Sequence, residues 1–158
     1  MAEQKTNVMR VLEQKKIPYT PHSYPHGEGA VDGVTVAALT GLAPEKVFKT
    51  LVTVGASKRN YVFVIPVAAE LDLRKAAKAA GEKSVAMIHV NEINALTGYV
   101  RGGCSPVGMK KRFDTYYHES CLELDSMAVS AGKIGAQVEL APDALLRLTG
   151  GKTADLIV

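Results

Sequence analysis

Cysteine is scarce in this sequence, and long apolar runs are missing from it. The two cysteines, Cys104 and Cys121, are too few and too far apart for a zinc knuckle or a redox Cys-x-x-Cys pair. Segment 1–6 is polar and lacks the apolar core of a signal peptide, and no run approaches the ~20 residues of a membrane span. We therefore expect reduced thiols, a cytoplasmic location and no membrane partner.

The net charge is also small. A formal charge of +3 permits an anionic partner but falls short of the strongly basic surface of a duplex-coating protein, so DNA is not an expected partner. A local contact with phosphate fits this charge better. The 158 residues, 47% of them hydrophobic, suffice for one domain over 1–158. Such a domain buries roughly two thirds of its unfolded surface and needs no disulfide or metal to fold.

The order of apolar patterns indicates an α+β domain. Apolar residues at helical spacing predict an amphipathic helix over 7–16, and apolar runs predict two paired strands over 47–54 and 61–65. Asn91 is predicted as the N-cap of a helix that stops before Gly98. Other expected elements are strands over 19–24, 84–87, 113–117, 127–130 and 137–140, and helices over 34–39, 71–80 and 142–148. Together they predict a single domain around a curved, mostly antiparallel sheet.

The most informative segment is the glycine-rich stretch, residues 98–112. It contains four glycines and one proline, and it ends in the consecutive cations Lys110, Lys111 and Arg112. Glycines let the backbone approach a ligand closely, and cations attract phosphate. The spacing is not that of a nucleotide-hydrolase phosphate loop. A tight turn between strands is the alternative interpretation.

Ordered motifs over nearly the whole chain resemble the YbaK family, free-standing relatives of the editing domain inserted in bacterial prolyl-tRNA synthetases. The motifs are His-Ser-Tyr-Pro-His (22–26), Val-Phe-Lys-Thr-Leu (47–51), Leu-Asp-Leu-Arg-Lys-Ala-Ala (71–77), Thr-Gly-Tyr-Val (97–100), Gly-Gly-Cys-Ser-Pro-Val-Gly (102–108), Lys-Lys-Arg (110–112) and Val-Ser-Ala-Gly-Lys (129–133). The resemblance implies a barrel-like α+β fold. It also implies removal of wrongly attached amino acids from tRNA, with cysteine on proline tRNA as the best-known substrate.

The resemblance identifies Lys49 as the main functional side chain. The carbonyl of an aminoacyl ester gains charge only as the tetrahedral state forms, and a fixed ammonium can stabilise that charge or bind the nearby terminal phosphate. Taken alone, a lysine at the start of a strand is more often a cation that reaches solvent.

The expected aminoacyl pocket is also carried over from the family. Its residues are Tyr24, Gly102, Gly103, Ser105, Pro106, Ser130 and Gly132. Tyr24 would stack on the terminal adenine or hydrogen-bond the substrate, unless it is a residue at the core boundary. Ser130 would line the pocket or satisfy a turn. Ala131 stands where the Ser-Gly-Gly-Lys pattern of the family has its first glycine. If that glycine needs a positive φ, the loop must differ in geometry here.

Contact with tRNA is expected from Lys110, Lys111 and Arg112, with Lys133 and Arg101 as further candidates. These side chains would hold the phosphates of the acceptor stem, which would make the affinity sensitive to salt. A cluster of this kind is more commonly a solvated face. The resemblance makes prolyl-tRNA synthetase a further expected partner. The sequence leaves open whether this chain or the synthetase reads tRNA identity.

Two other chemistries are weaker hypotheses. Cys104 lies in a glycine turn suited to a nucleophile, but no histidine has a recognisable spacing to it. His22 and His26 with Glu28 could bracket a metal, yet two imidazoles in a Gly/Pro loop are more typical of an exposed loop. We therefore expect no metal and no cofactor. The aspartates form no catalytic pair, and Asp72 is predicted as a first-turn helix acid.

The lack of an obvious general base leaves three mechanisms open. For members of the family that act on cysteine, the resemblance implies that the substrate thiol attacks its own ester and releases a cyclic thiolactone. A second mechanism is hydrolysis of alanyl-tRNA, seryl-tRNA or another small aminoacyl-tRNA. The third is a non-catalytic module that binds tRNA ends or a synthetase. The first makes the protein a lyase-like aminoacyl-tRNA deacylase that uses position and electrostatics.

Overall fold

A computed structural model describes residues 5–27 and 31–158. The α-helices in this part of the chain are α1 (Asn7–Gln14), α2 (Gly33–Thr40), α3 (Leu73–Ala80), α4 (Val90–Thr97) and α5 (Pro142–Thr149). The strands are β1 (Thr20–Ser23), β2 (Phe48–Gly55), β3 (Asn60–Pro66), β4 (Val85–Met87), β5 (Asp114–His118), β6 (Met127–Ser130), β7 (Ala136–Leu140) and β8 (Lys152–Ala154). Short 3-10 helices cover Pro44–Lys46 and Glu119–Glu123.

The strands form two sheets. One has five strands in the order β4-β2-β3-β5-β8, and the other has three in the order β1-β7-β6. The pairs β1–β7, β6–β7, β2–β3 and β2–β4 are antiparallel, whereas β3–β5 and β5–β8 are parallel. An isolated bridge from Val47 to Ala128 joins the sheets where β2 begins. The predicted α+β, mostly antiparallel fold is confirmed, with two joined sheets in place of a closed barrel.

Strand β3 is covered on both faces, which explains its unbroken apolar sequence. Val62 and Val64 pack into a cluster with α1 and the three-stranded sheet, whereas Phe63 and Ile65 pack against α3 on the other face. All four side chains are fully buried. Each such burial stabilises the fold by roughly 1.5–3 kcal/mol. The five-stranded sheet is therefore the central layer of the domain.

Helix α1 closes one side of this core. Its apolar residues Val8, Met9 and Leu12 are buried, as the helical spacing predicts. The Thr6 hydroxyl accepts a hydrogen bond from Met9 N and caps the helix. The chain leaves the helix through Lys16, whose φ is +58°.

Two details of the secondary structure differ from the sequence prediction. The predicted N-cap Asn91 is wrong, because α4 begins at Val90 and His89 holds the cap position without a side-chain hydrogen bond. Strand β8 was not predicted, since its three residues show no apolar alternation and it exists through parallel pairing with β5. Asp72 caps α3 by accepting from Arg74 N and Lys75 N, close to its predicted first-turn role.

The helices of residues 5–27 and 31–158 are each eight residues long at most, and none has the length and apolar character to cross a bilayer.

Candidate functional site

A cleft of about 1070 Å³ opens where the two sheets meet. Its walls come from β2, the start of α2, the β4–α4 segment, the glycine-rich stretch and the facing ends of β6 and β7. Four of the predicted site residues line it: Tyr24, Lys49, Gly102 and Ser130. These four are far apart in sequence, so the fold brings them together.

Lys49 is the second residue of β2 and pairs with Ile65 across the β2–β3 ladder. Its neighbour Phe48 is buried, whereas Lys49 is half-buried and lines the cleft. Within residues 5–27 and 31–158, its ammonium makes no ion pair and no side-chain hydrogen bond. The charge is therefore available to a ligand.

Two polar groups of the cleft were missed by the sequence analysis. Thr50 Oγ1 and Gln137 Oε1 are buried and have no hydrogen-bond partner in the described part of the chain. A buried oxygen without a partner costs about 1–3 kcal/mol, so a ligand that donates to it recovers this loss. Polar alternation along β7 suggests that Gln137 faces solvent, yet its exposed fraction is 6%. Only the tertiary structure reveals these acceptors.

Gly102 and Gly103 have different positions in the glycine-rich stretch. Gly102 has a φ of +85°, is exposed and lines the cleft. Gly103 is buried, and its N–H donates to Val100 O in a tight turn. A Cβ at Gly103 would lie 3.0 Å from Lys133 Cα. The absence of a side chain there sets how closely the stretch approaches the β6–β7 loop.

Ser105 and Pro106 lie behind this wall of the cleft. Ser105 is fully buried, and its hydroxyl accepts a hydrogen bond from Val107 N at 3.2 Å. Pro106 lines a separate hollow on the far side of the stretch. Both residues belong to the segment that forms this wall, and their predicted contact with substrate remains a prediction.

Ser130 combines both predicted alternatives. It lines the cleft, while its hydroxyl accepts from Gly132 N at 3.1 Å. Gly132 has a φ of +97°, but Ala131 lies outside the positive-φ region. Replacing the first glycine of the family pattern by Ala131 therefore causes no backbone strain.

Tyr24 lies at the edge of the cleft. Its N–H donates to Gly135 O at 3.0 Å, and its ring meets His26 edge-on with centroids 6.4 Å apart. With 5% of its surface exposed, the residue presents little of its ring to a ligand. This favours a polar or edge contact over stacking on a base.

The cations Lys110, Lys111 and Arg112 are exposed but do not line the Lys49 cleft. Lys111 and Arg112 border the hollow lined by Pro106, which lies across the glycine-rich stretch. Arg101 is the cation of the stretch that lines the cleft itself. Lys111 and Arg112 therefore lie on a different surface from Arg101.

Cys104 lines the cleft, but its environment disfavours a nucleophile. Burial raises the pKa of the thiol to about 11, and a hydrogen bond with Thr97 offsets this shift only in part. At neutral pH the group is a thiol, whereas the reactive form is the thiolate.

Three of the four imidazoles are hydrogen-bonded to groups that do not line the cleft. His22 Nε2 lies 2.9 Å from Glu139 Oε1, and His26 Nδ1 lies 2.8 Å from Gly27 O. His118 Nδ1 accepts from Leu156 N. In residues 5–27 and 31–158 no three potential ligand side chains come together around a metal position. Glu28, the third member of the weaker metal hypothesis, lies outside the described residues.

Asp32 provides the carboxylate that lines the described part of the cleft. Its oxygens accept from Thr35 N at 3.0 Å and from Thr35 Oγ1 at 2.7 Å, which caps α2. These hydrogen bonds lower its pKa. Asp32 is thus a weak base that is committed to the helix.

The chain is similar to known proteins in both sequence and fold. The family model described as the aminoacyl-tRNA editing domain matches residues 28–148. A protein of Enterococcus faecalis, named as a candidate Cys-tRNA(Pro)/Cys-tRNA(Cys) deacylase, EbsC, is 49% identical over 154 residues, which are 98% of this chain and 94% of the relative.

Solved structures show the same fold. A candidate trans-editing enzyme for prolyl tRNA synthetase superposes with a TM-score of 0.83 at 26% identity, over 99% of each chain. A hypothetical protein superposes with a TM-score of 0.85 at 24% identity, over 97% of this chain and all of the other, and supports the fold alone. The resemblance found in the sequence motifs is confirmed, and the chain belongs to the aminoacyl-tRNA editing domain family.

Proposed function

We propose that this protein is an aminoacyl-tRNA deacylase that clears mischarged tRNA in trans, with cysteinyl-tRNA(Pro) as its principal substrate. The observation that carries the proposal is one cleft lined by Lys49, Thr50 and Gln137. Among the described residues the Lys49 ammonium has no ion pair, and the side-chain oxygens of Thr50 and Gln137 have no hydrogen-bond partner. The name of the 49% identical relative supports this substrate.

An aminoacylated tRNA end supplies groups that complement the cleft. The α-ammonium of the amino acid can donate to Thr50 Oγ1 and Gln137 Oε1, and Lys49 can bind the ester carbonyl or the terminal phosphate. The cleft of about 1070 Å³ is slightly larger than pockets that enclose a ligand of drug size, roughly 300–1,000 Å³. That size suits an aminoacylated nucleoside better than a free amino acid.

The reaction we propose is cyclisation by the substrate. The cysteinyl sulfur attacks the ester carbonyl, a C–S bond forms, and the bond from the carbonyl carbon to the ribose oxygen breaks. The thiol proton ends on that ribose oxygen, so the products are a cyclic thiolactone and uncharged tRNA. This route suits a cleft whose described carboxylate, Asp32, is a helix cap. Lys49 stabilises the negative oxygen of the tetrahedral state.

The partners follow from the substrate. Lys110, Lys111 and Arg112 contact phosphates of the acceptor end, and Arg101 guides the strand into the cleft. Prolyl-tRNA synthetase supplies discrimination between tRNAs, in line with the name of a structural relative. Since both macromolecules work in translation, the protein acts in the cytoplasm.

The decisive experiment is deacylation of a panel of misacylated tRNAs with identification of the product. Cysteinyl-, seryl- and alanyl-tRNA(Pro) are incubated with the wild type and with Lys49→Ala. We expect rapid loss of cysteine alone, release of thiolactone, and a large loss of rate in the variant. Equal rates for seryl- and cysteinyl-tRNA, with free amino acids as products, would show that the reaction is hydrolysis and not cyclisation. Saturable tRNA binding without ester cleavage would show that the protein is a binding module and not an enzyme.

A further inference from the structure

A second hollow lies beside two cations of the glycine-rich stretch. It measures about 200 Å³ and lies between α1, residues 106–113 and the end of α5. Its apolar walls include Val11, Phe113 and Leu148, which are partly buried against the main core. Lys111 and Arg112 stand at its rim.

We propose that this hollow binds one unpaired base of the tRNA 3′ end, upstream of the terminal adenosine, while Lys111 and Arg112 contact the adjoining phosphates. This inference rests on the proposed function and extends it, since it adds a second nucleotide subsite to the aminoacyl cleft.

The charge at the rim favours a polyanion. Neither Lys111 nor Arg112 has a carboxylate partner among the residues that the structure describes. The Arg112 guanidinium lies close to Gly150, since a Cβ at Gly150 would lie 2.8 Å from its Nη2. Gly150 caps the carboxyl end of α5, where the helix dipole attracts a cation. The rim therefore presents positive charge next to an apolar surface.

The hollow and the cleft are neighbours across a short piece of backbone. Gly102 and Cys104 line the cleft, whereas Pro106 lines the hollow. Even a fully extended chain spans at most about 14 Å between Gly102 and Pro106. A single strand that enters the cleft with its terminal nucleotide can place an earlier base in the hollow.

The hollow is built for stacking and not for reading base identity. The hydroxyl of Thr115 donates to Phe113 O, and that of Thr149 is bonded to Tyr117 Oη and Leu145 O. Both lining hydroxyls are already satisfied. Contact through an aromatic ring and apolar walls tolerates any base.

The test is a double-mutant cycle between protein and tRNA. Abasic nucleotides replace, one at a time, the unpaired positions before the terminal adenosine of cysteinyl-tRNA, and Val11→Trp fills the hollow. We expect one abasic position to raise KM about 5- to 150-fold, the range for losing one stacked base, with kcat unchanged. Val11→Trp should raise KM comparably, and combining the two changes should add no further loss.

A second variant and a charge control accompany this cycle. Phe113→Leu should raise KM for the intact tRNA by a smaller factor. On the abasic tRNA, the variant and the wild type should have the same KM. Lys111→Gln should weaken binding of every tRNA and reduce its dependence on salt, whereas Lys78→Gln, an exposed cation on α3, should change neither.

Failure of the subsite is distinguishable from failure of the proposed function. If the wild type deacylates every abasic tRNA with unchanged KM, the subsite is wrong and the deacylase stands. If no cysteinyl-tRNA is cleaved, the proposed function is wrong. If Val11→Trp and the abasic position raise KM independently, so that their fold-changes multiply in the combination, the subsite is wrong. An effect of Val11→Trp that arises only when prolyl-tRNA synthetase is present would also overturn the subsite, because it would assign the hollow to a protein partner.

Discussion

Lys49 and Gln137 lie on different sheets and line the same cleft. Lys49 belongs to β2 of the five-stranded sheet, and Gln137 belongs to β7 of the three-stranded sheet. The bridge between Val47 and Ala128 holds these sheets together immediately before β2. This junction helps to set the separation between the positive charge of Lys49 and the side-chain oxygen of Gln137.

Replacing Lys49 should separate activity from folding. We expect Lys49→Ala to lower kcat for cysteinyl-tRNA by about 10²- to 10³-fold, the cost of removing one group that stabilises an oxyanion. Thermal unfolding should shift little, because the side chain is half-buried and has no partner in the described structure. Lys78→Ala, which removes an exposed cation on α3, should keep full activity. Wild-type rates in Lys49→Ala would contradict the assignment.

Thr50 offers a test in which stability and activity move in opposite directions. Thr50→Val removes a buried hydroxyl that has no partner among residues 5–27 and 31–158, so the free energy of unfolding should rise by about 1 kcal/mol. The same change removes an acceptor for the substrate ammonium and should lower kcat/KM about tenfold. Urea unfolding and deacylation kinetics measure the two effects.

Thr53 on the same strand is the matched control. Its hydroxyl donates to Tyr61 O and the residue is fully buried outside the cleft. Thr53→Val should therefore lose stability, by about 1 kcal/mol, and keep its activity. If both valine variants lose stability, the Thr50 hydroxyl has a partner and is not poised for a ligand.

The sequence was sufficient to predict those elements whose own residues indicate their burial or their ends. Strand β3 is apolar on both faces because both faces are covered, and Gly81 and Gly98 end helices because each adopts a positive φ. The start of α4 was misplaced because its cap position carries His89, which makes no capping hydrogen bond. Strand β8 depends on its neighbour β5 and not on its own pattern.

The site was predictable only in part, for a related reason. Motifs and resemblance identified Lys49 and Gly102, which the fold brings into one cleft. No sequence pattern singles out Gln137, because its distinguishing feature is a buried side-chain oxygen without a hydrogen-bond partner among the described residues. The separation of Lys111 from the Lys49 cleft likewise results from how the glycine-rich stretch turns.

Gly103 should tolerate no side chain. A Cβ there would lie 3.0 Å from Lys133 Cα and 3.1 Å from Ile134 N, and backbone cannot yield as a flexible side chain does. We expect Gly103→Ala to push the two loops apart, lower the free energy of unfolding by roughly 1–3 kcal/mol and reduce kcat/KM. Gly27→Ala is the control, since an added Cβ there meets no atom of residues 5–27 and 31–158 within 4 Å. Equal melting temperatures for both variants would contradict this close approach.

Glu139 ties three segments together beside the cleft. Its carboxylate accepts from Ser126 Oγ at 2.5 Å, pairs with His22 Nε2 at 2.9 Å and pairs with Lys46 Nζ at 3.2 Å. Hydrogen bonds from Ser126 and His22, with the ammonium of Lys46, lower the pKa of Glu139 to about 2. Lys46 ends the 3-10 helix that leads into β2, so this carboxylate helps to hold the strand that carries Lys49.

The low pKa of Glu139 predicts how stability depends on pH. The unfolded chain binds a proton at this residue near pH 4.5, whereas the folded protein does so near pH 2. Stability from this group is therefore complete above about pH 5 and is lost as the pH falls towards 2. Urea unfolding at pH 7, 5 and 3 should show a smaller loss in Glu139→Gln than in the wild type. Exposed Glu123→Gln should follow the wild type. Parallel curves for all three proteins would rule out this role.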